Sequence, residues 1–144
     1  MMKSDRQDVH VKVDPAEWFE RARKDVDYAR IGRDRKVWVE SVLLCQRSVE
    51  KSLTAYLTVR RVAFAMTHEV LHLFRLAQGD EPDLAKWSDD AAWLAAYKPA
   101  VPGTLTTAPA KLPPAGPADL DRALGLAQAL LAWVGARLPP PASN

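Results

Sequence analysis

The fold is decided by the stretch KVWVESVLLCQRSVEKSLTAYLTV, residues 36–59, which contains neither proline nor glycine. Apolar residues recur through it every three or four positions, the spacing that places side chains on one face of an α-helix. This stripe consists of Trp38, Val42, Cys45, Val49, Leu53 and Tyr56. We therefore predict one long amphipathic helix that buries the stripe, with Cys45 inside the core.

A helix is also predicted before this stretch and another near the end of the sequence. Asp14 is a helix-capping residue and Pro15 favours a first turn, so the first helix should begin here and end at Gly32. Apolar residues at helical spacing predict the last helix over residues 117–138. The long helix therefore has helical partners on both sides in sequence.

Two further helices are predicted in between. Thr67 is a candidate N-cap for a third helix, which Gly79 should end. Asp80 can then cap a fourth helix over about residues 82–97. No segment alternates as a β-strand does. The predicted fold class is therefore all-α, an antiparallel up-and-down bundle of four to five helices.

The length of 144 residues fits one domain. Six of the eleven prolines fall within residues 98–117, which we predict to be an irregular crossover. Residues 1–13 are predicted to be a flexible lead and residues 139–144 a disordered tail. The bundle itself should therefore cover residues 14–138.

Composition excludes little. The net charge of +2 is too small to indicate nucleic-acid binding by itself. No apolar run is long enough for a membrane span, and the first residues do not resemble a signal peptide. A single cysteine cannot form an internal disulfide, which fits a reducing compartment. We expect a cytoplasmic protein that does not contact a membrane.

The hexapeptide THEVLH, residues 67–72, contains the zinc-peptidase pattern His68-Glu69-x-x-His72. Two imidazoles one turn apart and a glutamate base supply part of such a site, but a third ligand is needed and no histidine follows His72. At 100° per residue, His68, His72 and Arg75 share one helix face. The opposite, apolar face consists of Val70, Leu73, Phe74 and Ala77. A zinc metallopeptidase is thus kept as an alternative.

The long helix and the segment after it resemble the HEPN family of small helical proteins. That family has a glutamine-x-x-x-glutamate-lysine-x-leucine-x-alanine run, followed by a threonine-histidine-acid-aliphatic start to a later helix. The first run is matched by Gln46, Glu50, Lys51, Leu53 and Ala55. The second is matched by Thr67, His68, Glu69, Val70 and Leu73. The resemblance covers about residues 15–138.

The resemblance implies a helical bundle that is often a homodimer. Many HEPN proteins are the partner of a minimal nucleotidyltransferase, commonly as the toxin of a toxin–antitoxin pair. Some are metal-independent ribonucleases with an arginine, four to six residues, and then a histidine. Arg61 and His68 match this spacing with six residues between them, but Val62 follows the arginine where Asn, Asp or His is usual.

The resemblance makes Arg61 and His68 the candidate catalytic pair. RNA cleavage through the 2′-hydroxyl needs a base to accept that proton and a cation to stabilise the charged phosphorane. We predict that a nucleotide or RNA contacts Thr67, Gln46, Glu50, His72 and Arg75. No metal or cofactor is expected. An alternative from another class is a non-catalytic interaction module that binds a nucleotide or a protein through the same surface.

Overall fold

The computed structural model describes residues 13–67, 69–97 and 114–140. Five α-helices and one 3₁₀-helix form this part of the chain, and it contains no strand. In chain order they are α1 (Pro15–Asp34), α2 (Trp38–Arg60), α3 (Val70–Asp80), the 3₁₀-helix (Pro82–Trp87), α4 (Ser88–Ala95) and α5 (Pro117–Gly135). The predicted all-α fold class is confirmed.

Helix α2 is the centre of the bundle, as the sequence predicted. Its stripe is buried from Val42 to Tyr56, and it contacts α1, α3, α4 and α5. Cys45 is fully buried, and this burial raises the pKa of its thiol to about 12. Because the thiolate is the reactive form, Cys45 serves as a small apolar core residue.

Helix α1 begins as predicted but does not end at Gly32. The Asp14 carboxylate accepts the Ala16 N–H at 3.1 Å, which caps the helix. The helix then continues to Asp34. A Cβ atom at position 32 would overlap Ser41 Oγ of α2. Gly32 is therefore needed for the close approach of two helices, because no larger residue fits between them.

Contacts between helices give the relative directions of α1, α2 and α5. Asp25 of α1 pairs with Lys51 of α2 at 2.8 Å, and Gly32, later on α1, lies against Ser41, earlier on α2, so these helices are antiparallel. The end of α1 meets the start of α5 through Arg33 and Asp121 at 2.7 Å. Helix α5 is therefore antiparallel to α1 and runs in the same direction as α2.

The region between α2 and α5 differs in detail from the prediction. Gly79 does not end the third helix, which continues through Asp80. Asp80 does not cap the next helix, because its carboxylate is bonded to α2 instead. The single fourth helix predicted over residues 82–97 is a 3₁₀-helix followed by the short α4.

The final helix is close to the prediction. It begins at Pro117, where the Asp119 carboxylate accepts the N–H of Gly116 at 2.9 Å, and it ends at Gly135. Most of the predicted proline-rich crossover, residues 98–113, lies outside the described residues, as do residues 1–12 and 141–144. The predicted character of these three segments stays a prediction.

Candidate functional site

Helix α2 ends in a motif that puts Arg61 in a left-handed backbone conformation, with φ 58° and ψ 33°. The N–H of Arg61 donates to the carbonyl of Thr58 at 3.2 Å, and the N–H of Val62 donates to the carbonyl of Leu57 at 3.0 Å. This is the Schellman arrangement, in which glycine is the usual left-handed residue. The Arg61 side chain is exposed where the helix stops.

The two arginines at this helix end have different surroundings. Arg60 Nε donates to Asp80 Oδ2 at 2.9 Å, and the hydroxyl of buried Tyr56 donates to the same oxygen at 2.5 Å. Among the residues that the structure describes, Arg61 forms no ion pair. Arg60 is thus part of the tie between α2 and α3, whereas Arg61 is available to a ligand.

The hydrogen bond between Tyr56 and Asp80 also shifts the pKa values of both side chains. The bond from Tyr56, and next the bond from Arg60, hold the pKa of the Asp80 carboxyl below its usual range. Burial, and next the Asp80 carboxylate, raise the pKa of Tyr56 above its usual value. At neutral pH the pair is therefore a neutral phenol that donates to a carboxylate.

The connector between α2 and α3 is anchored at its first part. Val62 and Phe64 are half-buried and pack against the core. Thr67 does not cap α3, which begins at Val70. Its hydroxyl accepts the N–H of Glu69, the residue immediately before the helix, at 3.0 Å. His68 lies outside the described residues, so its predicted pairing with Arg61 stays a prediction.

Helix α3 divides its faces as the sequence predicted. The buried residues are Val70, Leu73, Phe74 and Ala77. His72 and Arg75 are both accessible, three residues apart on the solvent side. These two predicted ligand-binding residues therefore share one accessible face at the α3 end of the connector.

Gln46, which we predicted to contact a ligand, is buried and hydrogen-bonded to the end of α4. Its side-chain nitrogen donates to the carbonyls of Leu94 at 2.9 Å and Tyr97 at 2.7 Å, in the buried joint between α2 and α4. Gln46 thus adds side-chain hydrogen bonds to carbonyls at the end of α4, where the helical pattern stops. Glu50 is half-buried on α2, one turn further along.

A family model of the HEPN domain matches residues 15–137, which is most of the chain. The chain belongs to the HEPN domain family. The predicted resemblance, and the extent we assigned to it, are confirmed.

Two solved structures have the same HEPN fold. One is an archaeal HEPN homologue, which is 20% identical, with a TM-score of 0.69 over 88% of this chain and 98% of the other. The second is a protein from Thermus thermophilus, which is 22% identical, with a TM-score of 0.63 over 86% and 98% of the two chains. No curated protein matches this HEPN chain significantly. None of the described helices has the length and apolarity that crossing a bilayer requires.

The residue after Arg61 departs from the pattern of HEPN ribonucleases for a physical reason. In the Schellman arrangement, the residue two positions past the helix commonly makes an apolar contact with the last turn. Val62 occupies that place and packs against the core. A polar residue there would lose this contact, so Val62 has a structural role of its own.

The zinc alternative depends on a third ligand. Over residues 13–67, 69–97 and 114–140, no three His, Cys, Asp or Glu side chains lie close enough together to hold a metal ion. The motif residue His72 is accessible, and Arg75 lies one turn further along the same face. Because His68 is outside the described residues, the metal content of the purified protein has to be measured.

A groove lies elsewhere, between α1 and α5. It has a volume of about 580 Å³ and is lined by residues that include Phe19, Arg23, Arg30 and Gln128. Gly135 leaves room for Phe19, because a Cβ there would lie 3.0 Å from the phenyl Cζ. None of the catalytic or ligand-binding residues predicted from the sequence lines this groove.

Sequence reasoning missed Asp80 and Tyr56 as the residues that fix the end of α2. The available signal was weak. Tyr56 belongs to the apolar stripe, and Asp80 follows a glycine as a capping residue would. Their contact joins positions that are 24 residues apart, which no local pattern specifies.

Proposed function

We propose that this HEPN protein is a cytoplasmic RNA-binding component of a toxin–antitoxin pair, that it cleaves RNA without a metal, and that a minimal nucleotidyltransferase is its partner. The observation that supports this most is the state of Arg61. It is an exposed guanidinium without an ion pair among the described residues, at the start of the connector that leads in sequence to His68. Family membership supplies the context.

The proposed chemistry uses only the RNA and two side chains. His68 accepts the proton of a ribose 2′-hydroxyl, whose oxygen attacks the adjacent phosphorus. The bond from phosphorus to the 5′-oxygen of the next nucleotide breaks, and that oxygen takes up a proton. Arg61 stabilises the negative charge of the phosphorane, because its planar guanidinium can donate two parallel hydrogen bonds to phosphate oxygens.

Other accessible residues, on the connector and on α3, fit ligand binding. His72 and Arg75 on α3, with Thr67 in the connector, are proposed to contact the RNA backbone. Gln46 is proposed to act indirectly, through the joint between α2 and α4. In a homodimer, two Arg61–His68 pairs would face one RNA.

A non-catalytic interaction module is the second candidate. The observation that favours it is Val62, an apolar core contact where HEPN ribonucleases usually have a polar residue. In that case Arg61 would bind the phosphate of a nucleotide or RNA without cleaving it.

The test is degradation of a mixed RNA pool by purified protein in excess EDTA. Wild type is compared with Arg61→Ala and His68→Ala, and Lys36→Ala is the matched control, because Lys36 is also a basic residue with left-handed backbone at a helix end. Cleavage lost in both site variants and kept in Lys36→Ala supports the nuclease. RNA binding without cleavage supports the module, and stoichiometric zinc in the purified protein would restore the peptidase alternative.

Partnership needs a separate experiment. Growth arrest on expression of the wild-type protein, relieved by co-expression of a minimal nucleotidyltransferase that co-purifies with it, would support the toxin–antitoxin assignment. Absence of growth arrest in every host tested, together with no co-purification, would contradict it.

A further inference from the structure

Tyr28 is a solvent-exposed aromatic residue on α1. It is 58% exposed, and Ile31, one turn later on α1, is 50% exposed. Within the described part of the chain, Tyr28 has no hydrogen bond and no ring contact. A tyrosine ring whose faces are open is suited to stack on a flat ligand.

The position of Tyr28 follows from the ion pair between Asp25 and Lys51, which joins α1 to α2 at 2.8 Å. Tyr28 comes three residues after Asp25, and Arg47 comes four residues before Lys51. Since the helices are antiparallel, both residues lie one turn from the ion pair in the same direction. This register places Tyr28 and Arg47 at the same level of the α1–α2 hairpin, and both are exposed.

The side of α1 that carries Tyr28 faces away from α5. Helix α5 meets α1 through Phe19 and Gly135, on the part of α1 that is turned away from Tyr28. Lys24 precedes Tyr28 by one turn, and Arg35 follows it by two turns. We call the surface formed by Lys24, Tyr28, Arg35 and Arg47 the hairpin face.

The cations of the hairpin face have no carboxylate partner within residues 13–67, 69–97 and 114–140. Lys24, Arg35 and Arg47 are exposed and form no ion pair with any described residue. The arginines elsewhere that do form one are Arg21, Arg23, Arg30, Arg33, Arg60, Arg122 and Arg137. The exposed acidic residues close in sequence to these cations that are also unpaired among the described residues are Asp34 and Glu40. The face therefore has a net positive charge around an open aromatic ring.

We propose that the hairpin face binds single-stranded RNA, with a base stacked on Tyr28 and phosphates held by Lys24, Arg35 and Arg47. An aromatic platform surrounded by cations is how proteins hold single strands, because every unstacked base has a face to offer and every nucleotide a phosphate. This rests on the proposed function, and it assigns the RNA a second contact surface beyond Arg61.

The hairpin face and Arg61 can contact one strand. Arg47 and Arg61 are both exposed and about four turns apart on α2, so roughly 21 Å separates them along the helix axis. A second copy of this chain fits the hairpin face less well. A twofold interface brings the same patch against itself, and the unpaired cations of the two copies would repel each other.

Fluorescence anisotropy of a fluorescein-labelled 12-nucleotide oligouridine tests the proposal. The protein is the full-length His68→Ala variant in EDTA, so that the RNA remains intact. We expect Tyr28→Ala to weaken binding about tenfold and Tyr28→Phe to leave it unchanged, since the ring does the stacking. We expect Arg47→Ala to lower the slope of log affinity against log salt by about one. Arg23→Ala, which removes the same charge from the α5 side of α1, should leave that slope unchanged.

Each other result has a distinct meaning. RNA binding that survives Tyr28→Ala and Arg47→Ala but is lost in Arg61→Ala overturns the hairpin face and leaves the proposed function standing. Equal affinity for a 12-base-pair RNA duplex overturns stacking, because paired bases cannot reach the ring. No RNA binding overturns both proposals. A Tyr28→Ala protein that changes from dimer to monomer in sedimentation, at unchanged RNA affinity, makes the face a self-association surface.

Discussion

Helices α1 and α2 end in the same backbone motif, but different structures follow the two helix ends. We call these C-terminal ends the exits of α1 and α2. Lys36 and Arg61 have φ values of 62° and 58°. The valine after each of them donates its N–H to the carbonyl five residues earlier. Val37 is the N-cap residue of the next helix and is 39% exposed, whereas Val62 packs on the core and starts an irregular connector.

The comparison shows that the motif by itself does not mark a site. A non-glycine residue in the left-handed region costs free energy. At both exits a basic residue, and not glycine, occupies this position. At α1 the result is a tight turn between helices. At α2 the same turn fixes the direction of the connector and holds Arg61 where α2 stops. The two exits therefore differ in the segment after the turn, which is a helix in one case and a connector in the other.

The sharpest way to test this difference is glycine at both left-handed positions. If the proposed function is correct, Arg61→Gly should lower RNA cleavage in EDTA at least about 100-fold, because it removes the cation proposed to stabilise the phosphorane. It should also raise the free energy of unfolding by roughly 1 kcal/mol, because glycine fits a left-handed position without strain. Cleavage assays and thermal melts of the same preparations measure both.

Lys36→Gly is the matched control for that experiment. It should give a similar gain in stability with no loss of cleavage. If Arg61→Gly cleaves as well as wild type, or if both substitutions abolish cleavage equally, the proposed distinction between the two exits is wrong.

A second test concerns the residue five positions before each valine. It is Leu57 at the exit of α2 and Gly32 at the exit of α1. Gly32→Ala should lower the free energy of unfolding by about 1–3 kcal/mol, because its Cβ would overlap Ser41 Oγ. Urea denaturation measures the change.

Gly79→Ala is the control for this second test, since a Cβ at that helical position meets nothing within 4 Å. It should stabilise the protein by roughly 0.5–1 kcal/mol, as alanine does in place of glycine inside a helix. Equal stability of the two variants would mean that α1 and α2 can separate at no cost, contrary to the close packing of Gly32 on Ser41.

A third test removes the two valine side chains. Val62→Ala should lower the free energy of unfolding by about 1 kcal/mol, since part of a core contact is lost. Val37→Ala should cost less than half as much, because that side chain is more exposed. Chemical denaturation of the pair measures the difference, and a larger effect at Val37 would reverse the comparison.

The smallest expected effect is in the acid dependence of stability. Each exit is tied by an arginine–aspartate pair, Arg33–Asp121 at α1 and Arg60–Asp80 at α2. Both carboxyls have a lowered pKa, because Arg33 bonds to Asp121 and because Tyr56, and next Arg60, bond to Asp80. Their stabilisation is present above the unfolded pKa of about 4 and is lost as the pH falls through the lower folded value.

Asp80→Asn should therefore flatten the pH dependence of unfolding below about pH 4 more than Asp121→Asn does. Asp121 and Arg33 are exposed, so solvent screens their pair, whereas Asp80 also accepts the bond from buried Tyr56. Unfolding curves recorded across the acid range measure both variants. A stronger flattening with Asp121→Asn would contradict the assigned role of Asp80.

The sequence predicted the parts of the fold that depend on local periodicity. The stripe of α2 and the two faces of α3 were correct because a repeat every three or four residues is itself the physical cause of burial. Family membership followed from the spacing around Gln46 and Thr67. These are short-range patterns that one sequence contains in full.

The errors came from residues whose role is set by a distant partner. Gly32 and Asp80 both look like helix punctuation, but Ser41 and Tyr56 of α2 determine what they do. The predicted ligand contact of Gln46 stays a prediction, but its hydrogen bonds to carbonyls 48 and 51 residues away also depend on distant partners that the sequence did not indicate. The left-handed backbone of Arg61 could not be predicted either, because glycine is the usual signal for it.

The contacts of Tyr97 mark a place where the chain could be lengthened without changing the fold of the bundle. Its carbonyl accepts the Gln46 bond at 2.7 Å, and its hydroxyl donates to the carbonyl of Pro114 at 3.0 Å. The bundle itself therefore holds together the two points between which residues 98–113 run. Doubling the length of such a connection adds only about 0.6 kcal/mol of closure entropy. We therefore expect the bundle to tolerate a reporter domain inserted between these two points.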